Sequence, residues 1–191
     1  MKYKGLLATL LITLGINACS TRSPKANFYL LQNEFSSTEL SGSLRVGLGP
    51  VTVADYLNKP QIAIRTDTSK IRFSEFERWA SDLRGLIINA LQHDLAEQLG
   101  SDNIFEYPWR KSDDVDFAVI LDIKRFDASF IEMSAYLEAK VKLIHGDGTS
   151  SVQSYSLTES FQEPSFENAV SAERRLLKQL SSKIASLIEQ Q

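Results

Sequence analysis

Along residues 115–124, and again along 135–144, apolar and polar side chains alternate almost one for one. Val115, Phe117, Val119, Leu121 and Ile123 stand between Asp116, Ala118, Ile120, Asp122 and Lys124. Ala135, Leu137, Ala139, Val141 and Leu143 stand between Tyr136, Glu138, Lys140, Lys142 and Ile144. A period of two sends each set to its own face of a strand, and a strand with one wet face belongs to an antiparallel sheet covered on the other. Gly146-Asp147-Gly148 makes a turn after the second run, and Val152 to Phe161 returns as a third. Such a meander cannot stand alone; its dry face needs a layer above it.

Two segments supply that layer. Ser74-Glu75-Phe76-Glu77 carries Ser and Glu three apart, the capping-box pattern of a helix start. Behind it Phe76, Trp79, Ala80, Leu83, Ile87, Ala90, Leu91 and Leu95 recur at threes and fours until Gly100, which predicts a long amphipathic helix with Trp79 in the core. Pro164-Ser165 opens a final helix with Phe166, Ala169, Val170, Leu177, Leu180, Ile184, Leu187 and Ile188 on one stripe. Its Arg174, Arg175, Lys178 and Lys183, interspersed with Glu173 and Glu189, read as a solvated face.

Shorter strands are expected at Phe28–Leu31, Leu44–Val53, Gln61–Thr66, Lys70–Phe73 and Ile104–Tyr107. Within the second, Gly47 and Gly49 mark a bulge or a close backbone approach, and Pro50 interrupts the ladder. Asp55 to Pro60 reads as a turn. The predicted fold is α/β of the mixed α+β kind, one domain over residues 28–191. It has a single mixed sheet with a mostly antiparallel meander and two long amphipathic helices. At 191 residues and 43% hydrophobic the chain is long enough for one such core.

The first eighteen residues are of another kind. Lys2 and Lys4 lead an uncharged run from Gly5 to Ile16, too short for the ~20 residues that span a bilayer and suited to a secretory signal peptide over 1–18. The run ends in Ile16-Asn17-Ala18-Cys19, which resembles the bacterial lipobox. That resemblance implies cleavage before Cys19, an S-diacylglycerol on its sulfur and a third acyl chain on its freed amine. Two chains already make a stable anchor, and three hold a protein on the bilayer. Ser20 follows the cysteine; an Asp there would resemble the inner-membrane retention signal, so the outer membrane, facing the periplasm, is the expected site. Residues 19–27 then form a lipidated tether. Removing 1–18 takes two of 21 basic side chains and none of 24 acidic ones, leaving a net charge of −5. Attachment therefore rests on acyl chains in the outer-membrane lipid and not on a basic patch.

Catalytic patterns are missing. One cysteine and two histidines cannot build a four-ligand Cys/His zinc site, and His93 and His145 lie far apart in the chain. Gly47-x-Gly49 fails as a dinucleotide fingerprint, because Thr52 stands where the third glycine belongs. Asp113, Asp114 and Asp116 lie in a polar turn, where solvated acids are the rule. The expectation is a protein that is not an enzyme, with no metal, no cofactor and no nucleic-acid partner. Trp109, after Pro108, reads equally as packing or as a partner contact.

Several segments in order resemble the ABC-type transport auxiliary lipoproteins, the PqiC-like family. They are Phe28-Tyr29-Leu30-Leu31, Val46-Gly47-Leu48-Gly49-Pro50-Val51, Asp55-Tyr56-Leu57-Asn58-Lys59-Pro60-Gln61-Ile62, Arg78-Trp79-Ala80, Tyr107-Pro108-Trp109 and Arg125-Phe126. The resemblance implies a domain like the amino-terminal domain of TolB. It also implies a place beside a membrane-anchored MCE-domain protein in a system that moves lipids between membranes, with a homo-oligomer as a further implied partner. Pro50, Tyr56, Leu57, Pro60 and Trp109 are the expected partner contacts, since a rigid turn loses little entropy on docking. The same residues serve equally well as a turn that only shapes the fold. A lipid- or small-hydrophobe-binding carrier, a scaffold for another envelope complex and a periplasmic enzyme remain as rival readings.

Overall fold

The computed structural model describes residues 24–31 and 40–190; the signal segment, Cys19 and the first part of the tether lie outside the described residues. Eight strands form one curled sheet: β1 (Asn27–Tyr29), β2 (Val46–Val53), β3 (Gln61–Asp67), β4 (Lys70–Trp79), β5 (Ile104–Glu106), β6 (Phe117–Ser129), β7 (Ser134–His145) and β8 (Ser150–Ser160). Two α-helices join them, α1 (Leu83–Leu99) and α2 (Phe166–Glu189).

The alternation of the sequence builds the meander as expected. β6, β7 and β8 pair antiparallel, and β7 places Ala135, Leu137, Ala139, Val141 and Leu143 in the core while Glu138, Lys140 and Lys142 stay in water. β6 is the spine of the sheet. Along one edge it pairs with β7 throughout; its other edge is shared, first by β2 from Phe117 to Ile123 and then by β3 at Ala128, both parallel to it. β5 extends the β2 branch, and β4 and β1 extend the β3 branch.

The helices cover one face. α2 lies on β6, β7 and β8 and against α1, which covers β2 and β5. Leu176, Leu177, Leu180 and Ile184 of α2 are fully buried, and the Ser165 side chain caps the helix by accepting from the Asn168 amide at 3.2 Å. Phe130, in the β6–β7 turn, meets Phe161 and Phe166 edge to face at 6.3 and 5.2 Å, pinning the meander to the start of α2.

The first helix starts later than its sequence pattern suggests. Ser74 to Trp79 belongs to β4, and α1 begins at Leu83 behind Asp82, whose carboxylate accepts from the Gly85 amide at 3.1 Å. The Ser74–Glu77 spacing satisfies the local rule, but the strand is fixed on either side of it, residues 70–73 and 78 pairing with β3 and residues 77–79 with β1. Pairing in the sheet overrides a local helix signal. Trp79 is in the core as expected, from the end of a strand. Gly100, at φ 63°, closes α1 in the left-handed region.

This boundary has a mutational signature. Asp82→Ala is expected to cost about 1 kcal/mol in urea unfolding, the usual value of an N-cap, and Ser74→Ala no more than about 0.5 kcal/mol. Equal losses at the two positions would place the helix start back at Ser74.

Candidate functional site

The alternation of β6 breaks between Ile123 and Arg125, where its register with β7 shifts. Beyond the shift Phe126, Asp127, Ala128 and Ser129 are all buried. Asp127 is wholly enclosed, and a charge so placed must be compensated. Arg65 of β3 supplies most of the compensation, donating Nε to Oδ1 at 2.9 Å and Nη2 to Oδ2 at 2.8 Å, a two-pronged contact that fits guanidinium to carboxylate. Arg125 adds a bond from Nε at 3.2 Å, and the Tyr56 hydroxyl donates at 2.9 Å. Burial, and then the negative charge of Asp127, push the Tyr56 hydroxyl well above the ordinary tyrosine range, so it keeps the proton it donates to Asp127.

The two arginines form the floor of a cleft of about 490 Å³, whose rim includes Ser129, Ile131, Glu132 and Tyr136. The Arg125 guanidinium lies 3.9 Å from the centre of the Tyr136 ring, and the Tyr136 hydroxyl bonds Glu132. The cleft is polar and its cations are committed to Asp127. It is not built as an apolar container.

A second buried acid faces the same region from α2. Glu173 falls at helical spacing between Ala169, Val170 and Leu177 and is 1% exposed, so the reading of Glu173 as part of a solvated face is corrected. Arg174 is likewise drawn inward, onto buried Asp94 of α1, through Nη1 at 2.8 Å. Burial, reinforced by the charge of Asp127, raises the Glu173 carboxyl well above its usual range, and its Oε2 has no hydrogen-bond partner among the described residues. Both causes favour the protonated form of Glu173.

The expected partner contacts fall into two places. Val46 and Leu48 of β2 point under the helices, so Gly47 between them faces the opposite side, where the Trp109 ring lies against it. A Cβ on Gly47 would stand 2.8 Å from the Trp109 Cζ3, and one on Gly49 would stand 2.7 Å from the Tyr107 Cβ. The close approach read from the two glycines is thus a bed for an aromatic pair, Tyr107 and Trp109, whose rings meet edge to face at 5.5 Å. Pro50 is exposed beside it, and Trp109 is half-buried. At the far end of β2, the 3₁₀ turn Asp55–Leu57 leads to Pro60. There Leu57 is 3% exposed and Tyr56 is anchored on Asp127, so both side chains are committed to the interior; Pro60 alone stays open. The turn is held too tightly for Leu57 to be a surface contact.

His93, Asp94 and Glu97 on α1 bring three potential ligand atoms within 4.8 Å of one another. The Arg174 guanidinium already occupies Asp94, and a bound cation would have to displace it. His145 packs edge to face on Phe117 at 5.3 Å, and Asp116 serves the Arg45 amide at 2.8 Å. These residues tie the fold together.

Two variants test this reading of the buried acids. Asp127→Asn leaves two guanidiniums without their anion and should cost roughly 3–5 kcal/mol, at the lower end because Arg65 and Arg125 keep 18% and 22% of their side chains exposed. Urea unfolding of the variant measures it, and a loss within experimental error would remove Asp127 from the centre of the account. Glu173 binds its proton more tightly when folded than when unfolded, so stability should fall as pH rises from the ordinary glutamate range toward its raised value. Glu173→Gln should flatten that slope above the ordinary glutamate range; an unchanged slope would assign it to another group.

The model of the ABC-type transport auxiliary lipoprotein component family matches residues 29–185. No curated protein matches the sequence significantly. Among solved structures, the crystal structure of an uncharacterized protein superposes with a TM-score of 0.72 at 19% identity, covering 86% of this chain and 99% of that one. Protein XCC0632 from Xanthomonas campestris gives 0.61 at 14% identity, over 74% of this chain and 81% of its own. Such identities speak for the fold, and the family match spans nearly all of the domain. The chain belongs to the family of ABC-type transport auxiliary lipoprotein components.

Proposed function

We propose that this protein is a lipid-anchored accessory subunit, fixed in the outer membrane and facing the periplasm, of an ABC-linked transport system built on an MCE-domain protein. One observation carries the reading: a lipobox-like Ile16-Asn17-Ala18-Cys19 stands a few residues ahead of a domain of the transport auxiliary family. Acylation at Cys19 supplies the attachment that an acidic domain lacks, and Ser20 favours the outer membrane. No helix among the described residues is long and apolar enough to cross a membrane.

The domain's part is to bind a neighbour. Asp127 and Asp94 are held in structural ion pairs, while Pro50, Pro60 and part of the half-buried Trp109 remain on the surface. Aromatic and proline side chains that the fold already holds rigid lose little freedom when a partner covers them. The transported material passes along the partner, and this subunit secures the outer-membrane end.

Mass spectrometry of the protein from native envelopes should find Cys19 carrying three acyl chains, and Cys19→Ser should stop processing and deplete the protein from the outer-membrane fraction. Crosslinking in intact envelopes should recover an MCE-domain protein. Repeated recovery of cell-wall enzymes alone would overturn the transport reading, and a bare thiol would overturn the anchor.

A further inference from the structure

The first described element of the chain, β1, lies at an edge of the sheet and among the described residues pairs only with β4. Its two faces differ sharply. Asn27 and Tyr29 both donate to the Glu77 carboxylate, at 3.1 and 2.7 Å, and Tyr29 also reaches Glu167 at the start of α2. That face is the helix-covered one. Alternation sends Phe28 and then Leu30 to the other face, and on the neighbouring strand exposed Phe76 stands next to Glu77, the ladder partner of Asn27. There Phe28 is 64% exposed, Leu30 44% and Phe76 42%. Three of the chain's large exposed hydrophobic side chains are thus collected on two adjacent strands at one corner.

From this we infer that the Phe28–Leu30–Phe76 corner rests on the surface of the lipid leaflet that holds the acyl chains. The inference depends on the lipidation of Cys19 proposed above. Phe28 stands nine positions after Cys19, so even a fully extended chain keeps the corner within about 30 Å of the anchor point. No other described element lies as near to the anchor along the chain. Size argues for the same occupant. A phenylalanine offers roughly 150–250 Å², so the three exposed fractions come to on the order of 300 Å², well short of the ~800 Å² that each partner of a stable protein complex buries. A second copy of the chain would find too little here to hold on to. A lipid surface that the anchor already keeps at hand needs far less.

Spin-label accessibility separates the alternatives. Acylated Cys19 is the chain's only cysteine, so Phe28→Cys, Leu30→Cys and Phe76→Cys each give one labelling site, as does Val152→Cys on β8 at the opposite end of the sheet as a control. All four positions are exposed, and circular dichroism checks that each variant folds. The lipidated full chain is reconstituted in phosphatidylethanolamine vesicles containing a minor share of phosphatidylglycerol. The ratio of collision with oxygen to collision with a water-soluble nickel chelate should be several-fold higher at residues 28, 30 and 76 than at 152. Equal ratios on protein that floats with the vesicles would overturn the lipid contact while leaving the anchor intact. Dipolar broadening between labels at residue 28, with shielding from both reagents, would assign the corner to a second copy instead. Protein that does not float, with a bare thiol by mass spectrometry, would bring down the anchor itself and this contact with it.

Discussion

A single buried carboxylate organises this domain. Asp127 lies at the point where β6 leaves the company of β2 and takes up that of β3, so the sheet must branch around it. Burying that charge would be prohibitive unless it were met from several sides. It is met by β3 through Arg65, by β6 itself through Arg125 and by the turn after β2 through Tyr56. The strands on both branches are therefore locked to the spine by the same group. The sheet divides in two at the point where Arg65, Arg125 and Tyr56 converge on Asp127.

That arrangement changes what the family-like segments mean. Tyr56 lies in the Asp-Tyr-Leu turn and Arg125 in the Arg-Phe pair, two of the short segments that carry the resemblance. They meet on Asp127, far from one another in the chain. Gly47 and Gly49 are in the same position: they leave room for Trp109 and Tyr107 on the face away from the helices. Much of the resemblance therefore records how the sheet is held. Of the expected partner contacts, this packing leaves Pro50, Pro60 and part of Trp109 outside.

The meander was legible in the sequence because burial of one face repeats every second residue, and a slip of one position would turn the whole core outward. The last helix was legible for the same reason at another period. The start of α1 was not, since Ser74 and Glu77 satisfy a rule about neighbours while β1 and β3, distant in sequence, decide the outcome. The Asp127 cluster was hidden too, because its partners lie 62 and 71 residues away. One sign was available: Arg125-Phe126-Asp127 falls where strict alternation ends, and an acid at such a break has to be bound by something. Glu173 carried a similar sign, an acid standing at core spacing among Ala169, Val170 and Leu177. Counting charges along α2 hid it; following the helical period exposes it.

How an acidic body can lie against lipid follows from the arithmetic of attachment. A net charge of −5 on the chain after residue 18 opposes approach to anionic headgroups, so free protein would gain nothing by exploring the leaflet. With Cys19 acylated as proposed, a short tether would remove the cost of approach, since a contact made within one molecule sees an effective concentration set by the tether and not by the solution. A patch of three side chains, too weak to recruit the domain, is then sufficient to orient it. Orientation is what an accessory subunit needs, because a neighbour that reaches the membrane must find its binding residues at a defined height and heading. In the proposed arrangement the acyl chains decide where the protein is, and the first strand of the fold decides how it stands.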